Sequence, residues 1–527
     1  MSKLGLLKAA NKLGLGGTVS RWVINDYATT TPPRPRPFSM WSHVAPHENW
    51  KPTDLDNPSA PKPPGYVSDY TSWPSLVDRR FSGRHLRPAE PSYQGRLQDA
   101  GKVAALFSRS GQMKPDRSSA LFAFFAQWFT DSILRFDSHD RRRNTSNHDI
   151  DLCQIYGLTT DATHVLREHR GGRLRSDSAT GEELPVKLCA QNAAGEWVVK
   201  PEFSTIVNDA TVNAFLKGFP DPQARRQFLY ASGLERGNSS IGYAAISTIF
   251  LREHNRLCAA LATKHPTWDD ERLFQTARMI NIVLLMKLVV EDYINHILGG
   301  KLFRLEPGLG EDKAWYRPNW IAAEFDLLYR WHGLMPDTIA VGGDVLDHWA
   351  YRNNNALIEQ RGLSAVIDAA SKAPAGRIGL FNSPGFLQPA ELNAVLMGRA
   401  FRLQPYNAYR DRFGLSRIES FDDLTADPAE RSALQECYAS VDDVEYLVGI
   451  FAEKRKKPAL FGELLTRMVA YDAFTQIFSN PLLSKAIWGK ETFTDYGLKQ
   501  IEETSSIQDL VDRNLKPGTK ATARLGL

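Results

Sequence analysis

Apolar residues recur at helical spacing through most of the chain beyond residue 66. The pattern is strongest in the segments 119–136, 209–219, 239–265, 270–300 and 458–480. Alternation typical of strands is scarce, and its one candidate lies near residue 196. We find no repeat of fixed period and no low-complexity tract. The sequence therefore predicts a mainly α fold with one large helical domain.

The first 65 residues differ from the rest. Proline-rich stretches at 30–37 and 58–65 disfavour helix and sheet, so they separate an N-terminal arm, residues 1–65, from a body of residues 66–527. Residues 1–25 combine Lys and Arg with Leu, Val and Trp, contain no acid, and lack the features of a secretory signal peptide. Two interpretations stay open: this segment contacts a membrane interface, or it packs on the protein's own body.

Composition and charge exclude several classes of protein. The 64 basic and 60 acidic side chains nearly cancel, so no nucleic-acid partner is expected, and the run at 141–143 predicts a solvated loop. The 4 cysteines form no C-x-x-C pair, which favours a reducing compartment, either cytoplasmic or peripheral to a membrane. The apolar run 280–290 is shorter than the roughly 20 residues of a membrane span and predicts a buried core helix.

Candidate chemistry centres on "AAEFDLLYRWHGLMPD", residues 323–338. Residues three apart on a helix differ by about 300° and lie on neighbouring parts of one face, so Tyr329 and His332 could serve one site. A lone His on an apolar helix is more often a core residue than a metal ligand. The usual hydrolase, zinc-protease and nucleotide-binding signatures are absent, so spacing alone does not decide between these roles.

Five segments in the same order resemble the animal-type haem peroxidases, and among them the cyclooxygenases. They are "LFAFFAQWFTDSILR", "NHDIDLCQIYGL", "TIFLREHNRLC" with "WDDERLFQTAR", "NWIAAEFDLLYRWHGLMPDTI", and "FRLQPYNAYRDRFGL" followed by "ESFDDL". The resemblance covers residues 65 to 510. It implies a helical catalytic domain that binds haem b.

The resemblance assigns roles to individual residues. His332 corresponds to the proximal ligand of the haem iron. Tyr329 corresponds to the tyrosine that becomes a radical and takes hydrogen from a fatty acid, after which O2 adds. Gln127 corresponds to a distal glutamine, and Asp131 stands where the family has a histidine that moves the peroxide proton. An Asp is a poorer proton shuttle than His unless burial raises its pKa, which weakens the expectation of peroxidase turnover.

The substrate channel is transferred in the same way. Ile294, Ile297, Leu298, Leu328 and Ala473 match positions that line the oxygenase channel, although all five would suit an ordinary core equally well.

Two features of the family's carboxylate-binding site are missing. No Arg occurs in residues 49–64, and the assisting Tyr is replaced by Gly300, which leaves Lys301 as a candidate for holding a head group. The polar "LREHNRLC" segment, 251–258, is expected to be structural, because its side chains can satisfy one another between helices.

The expected activity is haem-dependent dioxygenation of an unsaturated fatty acid or related lipid, with O2 and peroxide as further reactants. One alternative is a peroxidase, hydroxylase, epoxidase or hydroperoxide isomerase that acts on a small apolar compound. Another is a membrane-associated haem-binding protein without turnover. A homodimer is among the assemblies to be tested.

Overall fold

The computed structural model describes residues 3–30, 67, 73, 79–137, 141–179, 181–318 and 320–527. The proline-rich stretch at 58–65, most of the one at 30–37, and the segment 49–64 without the family's Arg lie outside the described residues.

Helices dominate the described chain, as the periodicity predicts. In the first half they are α1 (Lys3–Lys12), α2 (Gly16–Thr30), α3 (Pro91–Gln94), α4 (Ala100–Ala105), α5 (Ala120–Thr130), α6 (Cys153–Tyr156), α7 (Thr160–Leu166), α8 (Asp209–Leu216), α9 (Pro222–Arg226), α10 (Ile241–Lys264), α11 (Asp270–Leu288) and α12 (Asn295–Leu298). In the second half they are α13 (Ala323–Leu328), α14 (His348–Tyr351), α15 (Ala356–Arg361), α16 (Leu363–Lys372), α17 (Gln388–Ala400), α18 (Tyr406–Arg412), α19 (Phe421–Leu424), α20 (Pro428–Cys437), α21 (Tyr446–Ala452), α22 (Glu463–Phe478), α23 (Lys490–Glu502) and α24 (Ile507–Asn514).

Single turns and short strands connect the helices. The 3-10 turns are Pro201–Phe203, His332–Leu334, Gly385–Leu387, Val441–Asp443 and Pro481–Leu483, and Val289–Ile294 is a π-helical turn. The strands are β1 (Pro115–Ser119), β2 (Ser176–Asp177), β3 (Leu184–Pro185), β4 (Cys189–Gln191), β5 (Trp197–Val199), β6 (Thr338–Val341), β7 (Asp344–Asp347) and β8 (Pro374–Gly376). They form antiparallel pairs, β1 with β8, β2 with β3, β4 with β5 and β6 with β7. The strand expected near residue 196 is β5.

Helices α10 and α11 form the centre of the body. Each begins at a side chain that caps its free backbone N–H groups: Ser240 accepts from the amide of Tyr243, and Asp269 accepts from the amide of Arg272. Among the described residues, Asp270–Leu298 is the one helical stretch long and apolar enough to cross a membrane. However, 83% of its most apolar window is buried inside the protein, which confirms the expected core helix at 280–290.

The N-terminal arm begins with two helices that pack against the body. Helices α1 and α2 bury Leu7, Val23 and Ile24, and the ring of Tyr27 on α2 lies under the guanidinium of Arg467 on α22, 4.7 Å away. The arm therefore packs on the body through one face, as the second interpretation of the sequence expects.

The arginine run at 141–143 contradicts the sequence-based expectation of a solvated loop. Arg141 is 8% exposed and Arg142 is 1% exposed. Arg141 donates to the side chain of Asn393, and the guanidinium of Arg142 lies 5.7 Å from the ring of Phe81. The prediction was wrong because a segment distant in sequence covers these guanidinium groups, which the charge pattern alone does not reveal.

Candidate active site

A cavity of about 430 Å³ brings four of the predicted site residues together. Its walls come from α5, from the chain between residues 326 and 335, from α8 and from residues 386–393. Gln127 and Asp131 line it from α5, and Tyr329 and His332 line it from the segment after α13. The cavity is thus a shared site for residues that lie about 200 positions apart in sequence.

His332 is backed by a buried carboxylate. Its Nδ1 lies 3.0 Å from Oε1 of Glu391 on α17, a residue that is 1% exposed. The N–H direction lies outside hydrogen-bond geometry, so this contact is electrostatic at hydrogen-bond distance. The same carboxylate accepts a short hydrogen bond from Ser383 Oγ. Because Glu391 lies next to Nδ1, Nε2 is the ring nitrogen left to face a ligand in the cavity.

Tyr329 and His332 do not share one helix, which corrects the sequence-based picture. Helix α13 ends at Leu328, Tyr329 has φ −89° and ψ 11°, and His332 opens a separate 3-10 turn. The indole of Trp331 causes part of this break, because its Nε1 donates to the carbonyl of Leu328 over 2.6 Å and satisfies a carbonyl at the helix end. The two side chains nevertheless line the same cavity, so the expectation of one shared site holds.

Aromatic rings surround the phenol of Tyr329. Trp331 stacks on it with ring centroids 4.4 Å apart, and Phe325 meets it edge-on at 5.0 Å. The phenol also interacts with that of Tyr293, which is 1% exposed and directly precedes the predicted channel residue Ile294. Burial raises the pKa of Tyr329, so the phenol is protonated at neutral pH.

Gln127 and Asp131 line the cavity from α5 and its C-terminal end. Gln127 donates to Ser239 Oγ over 3.1 Å. Asp131 follows the last turn of α5; its Oδ1 lies 3.8 Å from Nη1 of Arg236, and its Oδ2 is buried without a hydrogen-bond partner. Burial raises the pKa of Asp131, against the opposing influence of Arg236 and Arg135. A raised pKa favours an Asp as a proton shuttle, and that role of Asp131 stays a prediction.

The five predicted channel residues lie elsewhere. Their exposed fractions run from 0 to 7%, and all belong to the main hydrophobic core. None of them lines the cavity of His332. The assignment of Ile294, Ile297, Leu298, Leu328 and Ala473 to a substrate channel stays a prediction.

Near Gly300 the arm contacts the body. The side chain of Asn11 donates to the carbonyl of Lys301 over 2.7 Å, and Arg21 forms an ion pair with Glu306. A Cβ added at Gly300 would lie 3.7 Å from Cε of Lys8, an ordinary contact distance. Lys301 itself is exposed. The role of Lys301 in holding a head group stays a prediction.

The donor set fits haem. A single imidazole faces the cavity, and within the described part of the chain no group of three His, Cys, Asp or Glu side chains is arranged to hold a metal ion. With one imidazole as the protein ligand, a metal bound here would need its remaining ligands from a cofactor such as the haem ring. A carboxylate behind the second ring nitrogen is the usual support for a metal-bound imidazole.

Sequence reasoning missed Glu391, Tyr293 and Arg236. Tyr293 directly precedes the predicted channel residue Ile294, and this position is a usable signal. Glu391 is 59 residues from His332, in a segment with no recognised motif, and only the fold shows the contact.

Comparison with known proteins agrees with this geometry. The family model described as animal haem peroxidase matches residues 112–360 and 390–524. The chain belongs to the animal haem peroxidase family. Membership implies an oxidoreductase that binds haem.

Three individual proteins illustrate the similarity in sequence and in fold. The chain is 32% identical to prostaglandin G/H synthase 2 of Equus caballus over 472 residues, which cover 86% of this chain and 74% of that protein. Its fold resembles fatty acid alpha-dioxygenase of Oryza sativa with a TM-score of 0.69 at 16% identity, over 96% of this chain and 92% of the other. Peroxidase A of Dictyostelium discoideum gives a TM-score of 0.67 at 19% identity, over 85% of this chain and 95% of the other. The mainly helical fold expected from sequence is thereby confirmed.

Proposed function

We propose that this protein is a haem-dependent dioxygenase of unsaturated fatty acids that uses Tyr329 as a radical. The observation that carries the proposal is the meeting of Tyr329, His332 and Gln127 at one cavity. The relatives named prostaglandin G/H synthase and fatty acid alpha-dioxygenase support the class of substrate.

In this proposal His332 and Tyr329 have separate roles. His332 would hold haem b through its iron, and haem when bound would supply one-electron oxidation of Tyr329. The oxidised Tyr329 takes a hydrogen atom from a doubly allylic carbon and returns to a phenol. O2 then adds to the carbon radical, and the resulting peroxyl group takes the hydrogen back from the phenol to give a hydroperoxide. The rings of Trp331 and Phe325 hold the phenol in place throughout.

Replacement of Tyr329 tests the proposal. Tyr329→Phe keeps the ring volume and removes the oxidisable phenol, so we expect haem binding to persist and oxygen uptake with linoleate or arachidonate to disappear. Tyr93→Phe is the matched control, because Tyr93 is a buried tyrosine outside the cavity whose hydroxyl donates to the carbonyl of Asp443. Undiminished oxygen uptake by the Tyr329 variant would rule out the radical role.

A second candidate function is peroxide reduction. The observation that favours it is the polar distal wall, where Gln127, Asp131 and Arg236 face the cavity together. Rapid turnover of hydrogen peroxide with a reducing co-substrate, without oxygen uptake on any lipid, would favour this function over dioxygenation.

The outer face of the arm supports a membrane contact through residues 1–25. Leu13, Leu15 and Trp22 are 75, 59 and 50% exposed on the face that does not pack on the body. Lys12 is exposed beside them, and a cation near the surface attracts anionic lipid by about 1 kcal/mol.

Point substitutions test this contact better than deletion of the arm, because deletion would uncover the core that Leu7 and Val23 fill. We expect Leu13→Ser with Trp22→Ser to reduce sedimentation with phosphatidylserine vesicles and to leave the melting temperature unchanged. Val345→Ser, at a residue 71% exposed outside the arm, is the control. Equal sedimentation of all three proteins would leave the arm with a packing role alone.

A further inference from the structure

Arg352 lies on the wall of the His332 cavity, directly after α14. Two aromatic rings hold its guanidinium: the centroid of Phe386 is 5.0 Å from Cζ, and that of Phe219 is 5.4 Å away. Cation–π contacts of this kind fix the position of a guanidinium without neutralising its charge. The side chain is therefore positioned within the cavity wall and remains cationic.

No anion within the described residues pairs with this guanidinium, which makes no hydrogen bond and no ion pair there. Its neighbour Arg225 differs, because its guanidinium donates to the carbonyls of Arg352 and Trp349 over 2.9 and 2.7 Å. Arg330 and Arg236, on other parts of the cavity wall, lie near Asp326 and Asp131. Arg352 is thus the cavity arginine whose five donors are left for a ligand.

The surroundings of Arg352 indicate what kind of ligand would fit. Val212, Leu216 and Leu229 line the same cavity and are buried apolar residues. Burial lowers the pKa of Arg352, and an arriving anion would offset that cost. The cavity therefore combines one unpaired cation with an apolar wall, which suits a molecule with one anionic end and an apolar part.

We propose that Arg352 binds the carboxylate of an amphipathic ligand inside the His332 cavity. The planar guanidinium accommodates a carboxylate through two parallel hydrogen bonds. Two sources share this chemistry: a fatty acid that enters the cavity, and a propionate of haem. The fatty acid source rests on the proposed function, whereas the propionate source rests only on haem binding.

Two pairs of probes separate the sources. Haem-loaded protein is titrated with oleate and with methyl oleate, and haem-free protein is titrated with haemin and with haemin dimethyl ester. In each pair the ester keeps the apolar part and removes the anion. We expect the wild-type protein to prefer the acid in one of the pairs, and Arg352→Gln to weaken binding of that acid about 10- to 100-fold while the ester is unaffected.

Arg352→Lys keeps the charge and should retain part of the preference, which separates loss of the anion site from a folding defect. Arg361→Gln is the control, since Arg361 lies outside the cavity in an exposed ion pair with Asp344. Loss of preference in the oleate pair assigns the site to a fatty acid, and loss in the haemin pair assigns it to a propionate. Equal acid preference in wild type and Arg352→Gln for both pairs would overturn the proposal. Because these are binding measurements, their failure is distinct from a failure of oxygen uptake.

Discussion

The two walls of the cavity each carry a buried carboxylate, yet they place it differently. On the proximal wall, Glu391 lies behind the imidazole of His332, does not line the cavity, and accepts from the hydroxyl of Ser383. On the distal wall, Asp131 lines the cavity, and a guanidinium lies 3.8 Å from its Oδ1. Glu391 can act only through His332, whereas Asp131 can touch whatever enters. Position relative to the cavity, and not residue type, therefore decides which of the two carboxylates could contact a reactant.

The largest effect should come from removing the residue through which Glu391 acts. His332→Ala leaves no imidazole at the cavity wall, so we expect the Soret band of haem-reconstituted protein to be lost or grossly altered. Visible spectroscopy after reconstitution and desalting measures this. A normal haem spectrum in the variant would show that another residue binds the iron and that Glu391 has no proximal role.

The distal carboxylate should control the reaction with peroxide. Asp131→Asn keeps the shape and cannot accept a proton, so we expect the rate of haem reaction with hydrogen peroxide to fall by about 10²- to 10⁴-fold in stopped-flow spectra. The native rate should fall as pH drops through the raised pKa of Asp131, since only the carboxylate accepts a proton. Asp131→His should retain the reaction. Unchanged rates in both variants would mean that Asp131 does not face the haem.

The proximal carboxylate should have a smaller effect of a different kind. Glu391→Gln removes the charge behind His332, and loss of such a partner typically costs about 10- to 100-fold in metal affinity. We therefore expect weaker haem binding by titration, with the peroxide rate of the haem-loaded fraction changed far less than by Asp131→Asn. A peroxide rate reduced as strongly as in Asp131→Asn, at normal haem affinity, would contradict the division of roles.

The sequence predicted the residues that line the cavity better than it predicted the contacts that support them. The periodicity of α5, α10 and α11 and the motifs around Gln127 and His332 were readable because each is local. The contact of Glu391 with His332 and the contact of Arg352 with the ring of Phe386 join segments that are distant in sequence. No local pattern predicts them.

The "LREHNRLC" segment shows the same limit. Its structural role was expected, but its partners lie mostly outside the segment: Arg252 donates to the carbonyl of Asn514, and His254 contacts Tyr156 and Gly172. The pairing of Glu253 with Arg256 and the contact of Cys258 with His254 are local. Composition revealed that these side chains would be satisfied, and the fold was needed to show by which residues.

The smallest expected effect is on the free energy of unfolding, where Asp131 should differ from Glu235, a second carboxylate that lines the cavity. Burial raises the pKa of Asp131, so its contribution to folding is present in acid and is lost as pH rises through that pKa. The pKa of Glu235 is lowered because the guanidinium of Arg135, 2.7 Å away, outweighs the effect of burial, so its contribution is present at neutral pH and is lost in acid.

In the haem-free protein we expect Asp131→Asn to stabilise the fold at pH 7.5 by about 1 kcal/mol, the lower end of the cost of an unsatisfied buried acceptor. Glu235→Gln should destabilise at the same pH, and both differences should shrink in acid. Urea unfolding at the two pH values measures them, and stabilisation by both variants or by neither would show that the two carboxylates do not differ in the way their partners indicate.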